Sequence, residues 1–189
     1  MDIDNRLILK NKYSRPGSKN TGVRGLVVHW TGVPGQEAET VRRYFEYFAP
    51  KEKKHVSAHY VIDFDGSILQ MIPDEEIAYH AAYKDTPLEV LKTHGYPNDC
   101  MLGIECCVIN EEGEMTEQTK YALLWLLIRK SIDYNLFRKD IFRHYDVTVK
   151  RKDCHRWYVN NPQEWDKLRN LAMVGKRFMD NLENGRIFS

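Results

Sequence analysis

Two histidines and a cysteine carry the clearest chemical potential in this chain: His29 closes an apolar run, and His144 and Cys154 stand ten positions apart late in the sequence. Imidazole nitrogen and thiolate sulfur are suitable zinc ligands, and three protein ligands with a fourth position left open is the usual plan of a catalytic zinc site. Such a site supplies a Lewis acid for hydrolysis. A carboxylate, Glu105, sits inside a second apolar run at 102–109, where it is costly unless it serves the chemistry or meets a buried Arg or Lys. Spacing alone leaves both readings open, because a single buried histidine is more often a hydrogen-bonded core residue than a ligand. Cys154 lies in a polar segment between Asp153 and His155, unlike the neighbours Cys106 and Cys107, which read as small core residues.

The elements that must position these groups are read from periodicity. Leu26-Val27-Val28 reads as a buried strand with His29 at its end, entered through residues 11–24, which are rich in Gly, Ser, Asn, Lys and Arg. After a Gly-Val-Pro-Gly turn, Val41, Tyr44, Phe45 and Phe48 predict a helix that stops before Pro50, with 51–54 a solvated connection. Residues 56–64 and 67–71 flank Asp65-Gly66 and predict a hairpin. The stretch 72–101 reads as irregular, interrupted by Pro73, Pro87 and Pro97, and 102–109 as a central strand. Tyr121, Leu124, Trp125, Ile128 and Ile132 predict a long helix capped by Thr116, and a short strand at Ile141 and Phe142 leads into the loop of His144 and Cys154. The last helix has Asn161 at its cap and Pro162 in its first turn, with Trp165, Leu168, Ala172 and Phe178 directed inward. Irregular alternation with a hairpin inside it predicts an α/β fold: a single domain with a mixed central β-sheet flanked by helices.

Composition excludes several classes. With 28 basic residues against 27 acidic ones the net charge is +1, which provides no whole-protein field for nucleic acid, so no nucleic-acid partner is expected. The opening Met-Asp-Ile-Asp-Asn-Arg lacks a basic segment followed by an apolar run, and no stretch approaches the ~20 apolar residues that span a bilayer, so neither export signal nor membrane anchor is expected. Four cysteines, at 100, 106, 107 and 154, fit a reduced compartment better than a disulfide framework.

Several separate motifs occur in one order from about residue 25 to about residue 171: Val-Val-His-Trp-Thr around His29, Ser-Ala-His-Tyr at 57–60, Ala-Tyr-His-Ala at 78–81, Leu-Gly-Ile-Glu ending at Glu105, and His144 followed by Lys152-Asp-Cys154. In that order the chain resembles the type-2 N-acetylmuramoyl-L-alanine amidases, a family of phage endolysins, Bacillus autolysins and peptidoglycan recognition proteins, with the phage and Bacillus branch most similar. The resemblance implies one zinc ion per chain held by His29, His144 and Cys154, Glu105 as general base, Lys152 as a stabiliser of the oxyanion, and His80 as a substrate-binding residue in the groove. It implies bacterial peptidoglycan as the partner and substrate, cut between N-acetylmuramic acid and L-alanine. Residues 25–182 would form the catalytic domain, preceded by an entry segment at 1–24 and followed by a polar tail at 183–189. The setting implied is a monomeric phage or prophage endolysin, made in the host cytoplasm without a signal peptide and acting on the cell wall after release.

Two departures from the family's pattern bear on mechanism. Ala58 stands where phage lysozyme-type members place a catalytic tyrosine, which leaves the proton chemistry to Glu105, and His155 stands where many members have proline, either as a competing ligand or as a support of the metal. His59 is expected to face the core, while His55 and His94 have no assigned role. Two other functions remain in view: a peptidoglycan-binding module of the same fold that does not cleave, and a thiol hydrolase with Cys154 as nucleophile and His144 as its base.

Overall fold

The most apolar runs of the sequence become the middle of a mixed sheet. The structure is a computed structural model that describes residues 1–183. Among the described residues six strands form, β1 (Ile3–Asn5), β2 (Gly25–Trp30), β3 (Tyr60–Ile62), β4 (Ile68–Gln70), β5 (Met101–Cys106) and β6 (Ile141–Arg143), and they lie in the order β1-β4-β3-β5-β2-β6. The hairpin of β3 and β4 is antiparallel and turns through Gly66 at φ 84°, a left-handed conformation that glycine adopts without steric cost. Every other pairing is parallel. The single-domain mixed sheet expected from the sequence is therefore what forms.

Alternation along the strands sorts the side chains onto two faces. Leu26, Val28, Tyr60, Ile62, Leu102, Ile104 and Ile141 enter the main core beneath α5 (Glu117–Asp133) and α7 (Pro162–Glu183). On the opposite face Val61 and Leu69 pack with Val41 and Phe45, while Val27 and Met101 pack with Val90 and Cys100. His29 and Glu105 share this second face, at the carboxyl ends of β2 and β5.

Several elements differ from their reading in the sequence. α1 (Ala38–Arg43) does not stop before Pro50: it passes through a π-helical turn at Tyr44–Phe48 into α2 (Ala49–Lys51), where the proline occupies a first-turn position that needs no N–H donor. The stretch read as irregular contains α3 (Leu88–Thr93) and α4 (Pro97–Cys100), and α6 (Arg156–Asn160) follows the Cys154 loop. β1 extends the sheet from within the segment read as an entry region. Thr116 does cap α5, accepting a hydrogen bond from the Thr119 N–H at 3.0 Å.

Phe178 is not inward but 55% exposed, and Tyr121, part of the apolar row that predicts α5, is 65% exposed. α5 is sandwiched between the sheet and α7, so its buried row is Ala122, Leu123, Leu126 and Leu127, and Leu124, Trp125 and Ile128 of the row that predicts the helix are only partly buried. In α7 the inward row of Trp165, Leu168 and Ala172 continues at helical spacing to Gly175, which passes Phe178 by. Glu183 closes α7, and the rest of the polar tail expected at 183–189 lies outside the described residues.

A buried polar network ties the hairpin to α5. Asp74 accepts from Lys130 Nζ at 2.7 Å and from the Tyr134 hydroxyl at 2.8 Å on one oxygen, and from the Tyr60 hydroxyl and Gln70 on the other. Burial alone would raise the Asp74 carboxyl, yet Lys130 and the two hydroxyls hold it below the usual carboxylate range. No helix among the described residues is long and apolar enough to cross a membrane.

Candidate metal centre

The sheet register brings the first two functional groups together. β2 and β5 pair in parallel with His29 opposite Glu105, so both side chains leave the same face at the same level. β6 pairs with β2 through Val28 and Arg143, which places His144 one residue beyond the last strand pair. There Arg143 clasps Asp146 through its backbone N–H and both arms of its guanidinium, fixing the 3₁₀ turn at His144–Val147.

The loop to Cys154 folds back onto that turn. The Tyr145 N–H donates to the Cys154 carbonyl at 2.6 Å, the Thr148 hydroxyl donates to the His144 carbonyl at 3.2 Å, and the Lys152 N–H donates to the Thr148 hydroxyl at 3.2 Å. Ten residues of sequence thus return Cys154 to the side of His144. The outcome is a cluster in which ligand atoms of His29, His144 and Cys154 all lie within 4.8 Å of one another. His29 Nδ1 is 3.1 Å from His144 Nδ1 and 3.8 Å from Cys154 Sγ.

These residues fit zinc. A tetrahedral ion with ordinary zinc bond lengths spaces two nitrogens by about 3.3 Å and a nitrogen and a sulfur by about 3.6 Å, close to the separations found. Burial pushes both imidazoles down, His29 well below its ordinary range and His144 to about 4, with the neighbouring imidazole and Lys152 respectively adding to the effect. Both rings are therefore neutral at physiological pH, the form that binds metal. Burial pushes the Cys154 thiol up, and the nearby Glu105 adds to it, so metal entry would have to release that proton.

Glu105 borders a cleft of about 410 Å³ whose other walls include Thr31, Val41, Tyr44 and Phe45. Among the described residues its Oε2 is buried without a hydrogen-bond partner, and no buried Arg or Lys pairs with it. Burial pushes its carboxyl to about 8. Lys152 is exposed on the Cys154 loop, close enough for its charge to be felt by His29, His144 and Cys154. On the other side, Tyr145, Thr148 and Arg151 line a second cleft of about 680 Å³.

His80 is placed differently from the expectation of a groove residue. It is buried, and both ring nitrogens are taken by protein atoms: Nδ1 faces His29 Nε2 at 3.1 Å, and Nε2 faces the Met101 carbonyl at 3.1 Å. His59 faces the interior as expected, bridging the Glu76 carbonyl and the Gly103 N–H. His155 is fully buried against Tyr158, with neither ring nitrogen partnered among the described residues, and it stands outside the three-atom cluster. The supports that sequence reasoning missed are Asn98 and Gly103. A glycine in mid-strand was the available signal for the second, since it marks a close approach.

Comparison with known proteins covers the part of the chain that holds these residues. The model of the N-acetylmuramoyl-L-alanine amidase family matches residues 19–157. A probable N-acetylmuramoyl-L-alanine amidase of Bacillus licheniformis is 37% identical over 149 residues, covering 78% of this chain and 41% of that protein. The N-acetylmuramoyl-L-alanine amidase BlyA of Bacillus subtilis strain 168 is 32% identical over 187 residues, covering 91% of this chain and 48% of that protein. The chain thus spans less than half the length of these curated relatives. Among solved structures, a mutant endolysin from Bacillus subtilis superposes with a TM-score of 0.69 at 22% identity, covering 91% of this chain and 99% of that one, a likeness of fold.

Proposed function

The chain belongs to the N-acetylmuramoyl-L-alanine amidase family, and we propose that it is a zinc-dependent hydrolase of peptidoglycan, cutting the amide between the lactyl group of N-acetylmuramic acid and the first L-alanine of the stem peptide. The observation that carries this reading is the convergence of His29, His144 and Cys154 beside Glu105, a buried carboxylate whose Oε2 has no partner among the described residues. When bound, zinc supplies a Lewis acid that polarises a carbonyl and lets water ionise near neutral pH. His29 and His144 would hold it with neutral imidazoles and Cys154 with a thiolate.

Glu105 takes the proton of the attacking water and returns it to the alanine nitrogen as the carbon–nitrogen bond breaks. A carboxyl displaced toward neutrality suits both halves of that exchange. The Lys152 ammonium donates to the carbonyl oxygen as negative charge gathers there. Ala58 is fully buried and offers no hydroxyl, so no tyrosine shares the task at that position. The clefts beside Glu105 and beside Tyr145 leave room for a polymeric substrate.

The complete ligand set argues against a module that only binds. A thiol hydrolase needs an ionised Cys154, whereas burial raises that thiol. The setting we infer is the bacterial cell wall, with the protein acting as a phage or prophage endolysin. Digestion of purified peptidoglycan, read by mass spectrometry, should release stem peptides that begin with alanine and leave the glycan strands intact. New reducing ends without new amino termini would overturn the assignment.

A further inference from the structure

We propose that His80 is a positioning residue for the metal centre: it sets the tautomer of His29 so that His29 Nδ1 presents a bare lone pair to the cluster. The inference rests on the reading of His29, His144 and Cys154 as metal ligands. It follows from which atoms can only accept. The Met101 carbonyl accepts, so His80 Nε2, 3.1 Å away, carries a proton. Among the described residues His80 Nδ1 has His29 Nε2 as its hydrogen-bond partner, and with the ring's proton on Nε2 it faces that atom as the acceptor. His29 Nε2, 3.1 Å from that acceptor, must donate. The proton of His29 is thereby committed to Nε2, and the nitrogen left bare is the one that faces His144 Nδ1 and Cys154 Sγ.

The surroundings hold His80 in this role. Asn98 Oδ1 accepts from the backbone N–H groups of both His80 and Ala81, at 3.0 and 2.8 Å, and Asn98 Nδ2 donates back to the Ala81 carbonyl at 2.6 Å. The ring itself lies over Gly103, where an added Cβ would stand 2.6 Å from His80 Cγ. Only glycine at that point of β5 lets the imidazole sit close enough to reach both Met101 and His29. The two rings meet edge to face, at 84° and 5.2 Å between centroids. Partners of this kind fix ring orientation and raise ligand basicity, and their loss typically weakens metal affinity by about 10- to 100-fold.

Nitrogen-15 NMR of histidine-labelled, metal-free protein reads the tautomers directly, and His29 and His80 should both carry the proton on Nε2. Chelator competition then measures zinc affinity. His80→Phe, which keeps the bulk over Gly103 but removes the acceptor, should bind zinc about 10- to 100-fold more weakly and release His29 into mixed tautomers. His80→Gln, which retains an acceptor oxygen, should recover part of both. A proton on His29 Nδ1 in the wild-type protein would overturn the proposal even if the variants fail to fold. So would His80→Phe with unchanged zinc affinity and an unchanged His29 tautomer. Wild-type protein that binds no zinc yet shows the Nε2–H form of His29 would support the relay and overturn the metal reading, so the two failures are distinguishable.

Discussion

Replacing Glu105 by glutamine separates the two effects that a buried carboxylate has at this centre. In the unfolded chain the group ionises at the ordinary 4.5, whereas in the folded, metal-free chain burial keeps it protonated up to about 8. A carboxyl whose folded pKa is raised contributes stability that is complete below the unfolded value and is lost as pH climbs toward the folded one. At about pH 7 the loss amounts to about 3 kcal/mol, at roughly 1.4 kcal/mol per pH unit. Glutamine is nearly isosteric and has no proton to titrate, so Glu105→Gln escapes that cost. Urea denaturation of metal-free protein should find the two chains equally stable at about pH 4 and the variant ahead by up to about 3 kcal/mol at about pH 7. Turnover of the zinc-loaded protein should move the other way, falling at least ~10²-fold with the loss of the proton acceptor. Normal turnover, or stabilities that match at both pH values, would refute the reasoning.

Lys130→Met leaves Asp74 a buried carboxylate without its cation and should cost about 3–5 kcal/mol in urea denaturation. Because Asp74 is held below the usual carboxylate range, its contribution in the wild-type protein is complete above about pH 4 and lost as pH falls below it, an acid limb that Asp74→Asn should abolish. Lys152→Ala should leave zinc content and melting temperature unchanged while lowering turnover about 10²-fold, and unaltered turnover would return Lys152 to the solvated surface.

What the sequence makes legible follows from what each element needs. Buried strands need unbroken apolar runs, so the strands beneath His29 and Glu105 can be read directly, whereas the register that sets the two side by side exists only in the sheet. Thr116 reads as a cap because the capping bond is local. The spacing of His144 and Cys154 is visible, but their convergence depends on Tyr145 and Thr148 folding the loop back, which no periodicity records. The burial of His80 is not legible in the sequence because it is decided by Gly103 and Asn98 on other elements. The apolar row of Tyr121, Leu124 and Ile128 announces α5, but the row that is buried is a different one, because α5 has two apolar neighbours and only the fold decides which face meets the sheet. β1 has three residues, two of them polar, so no alternation announces it.

Elemental analysis of the wild-type protein and of Cys154→Ser, both exposed to zinc and then dialysed, tests the claim that three converging side chains hold a metal. About one zinc per chain is expected in the wild-type protein, with the metal lost or weakly held in a variant whose circular dichroism is unchanged. Full zinc occupancy in Cys154→Ser with activity intact would contradict the account and pass the ligand role to His155, whose buried ring has no partner among the described residues.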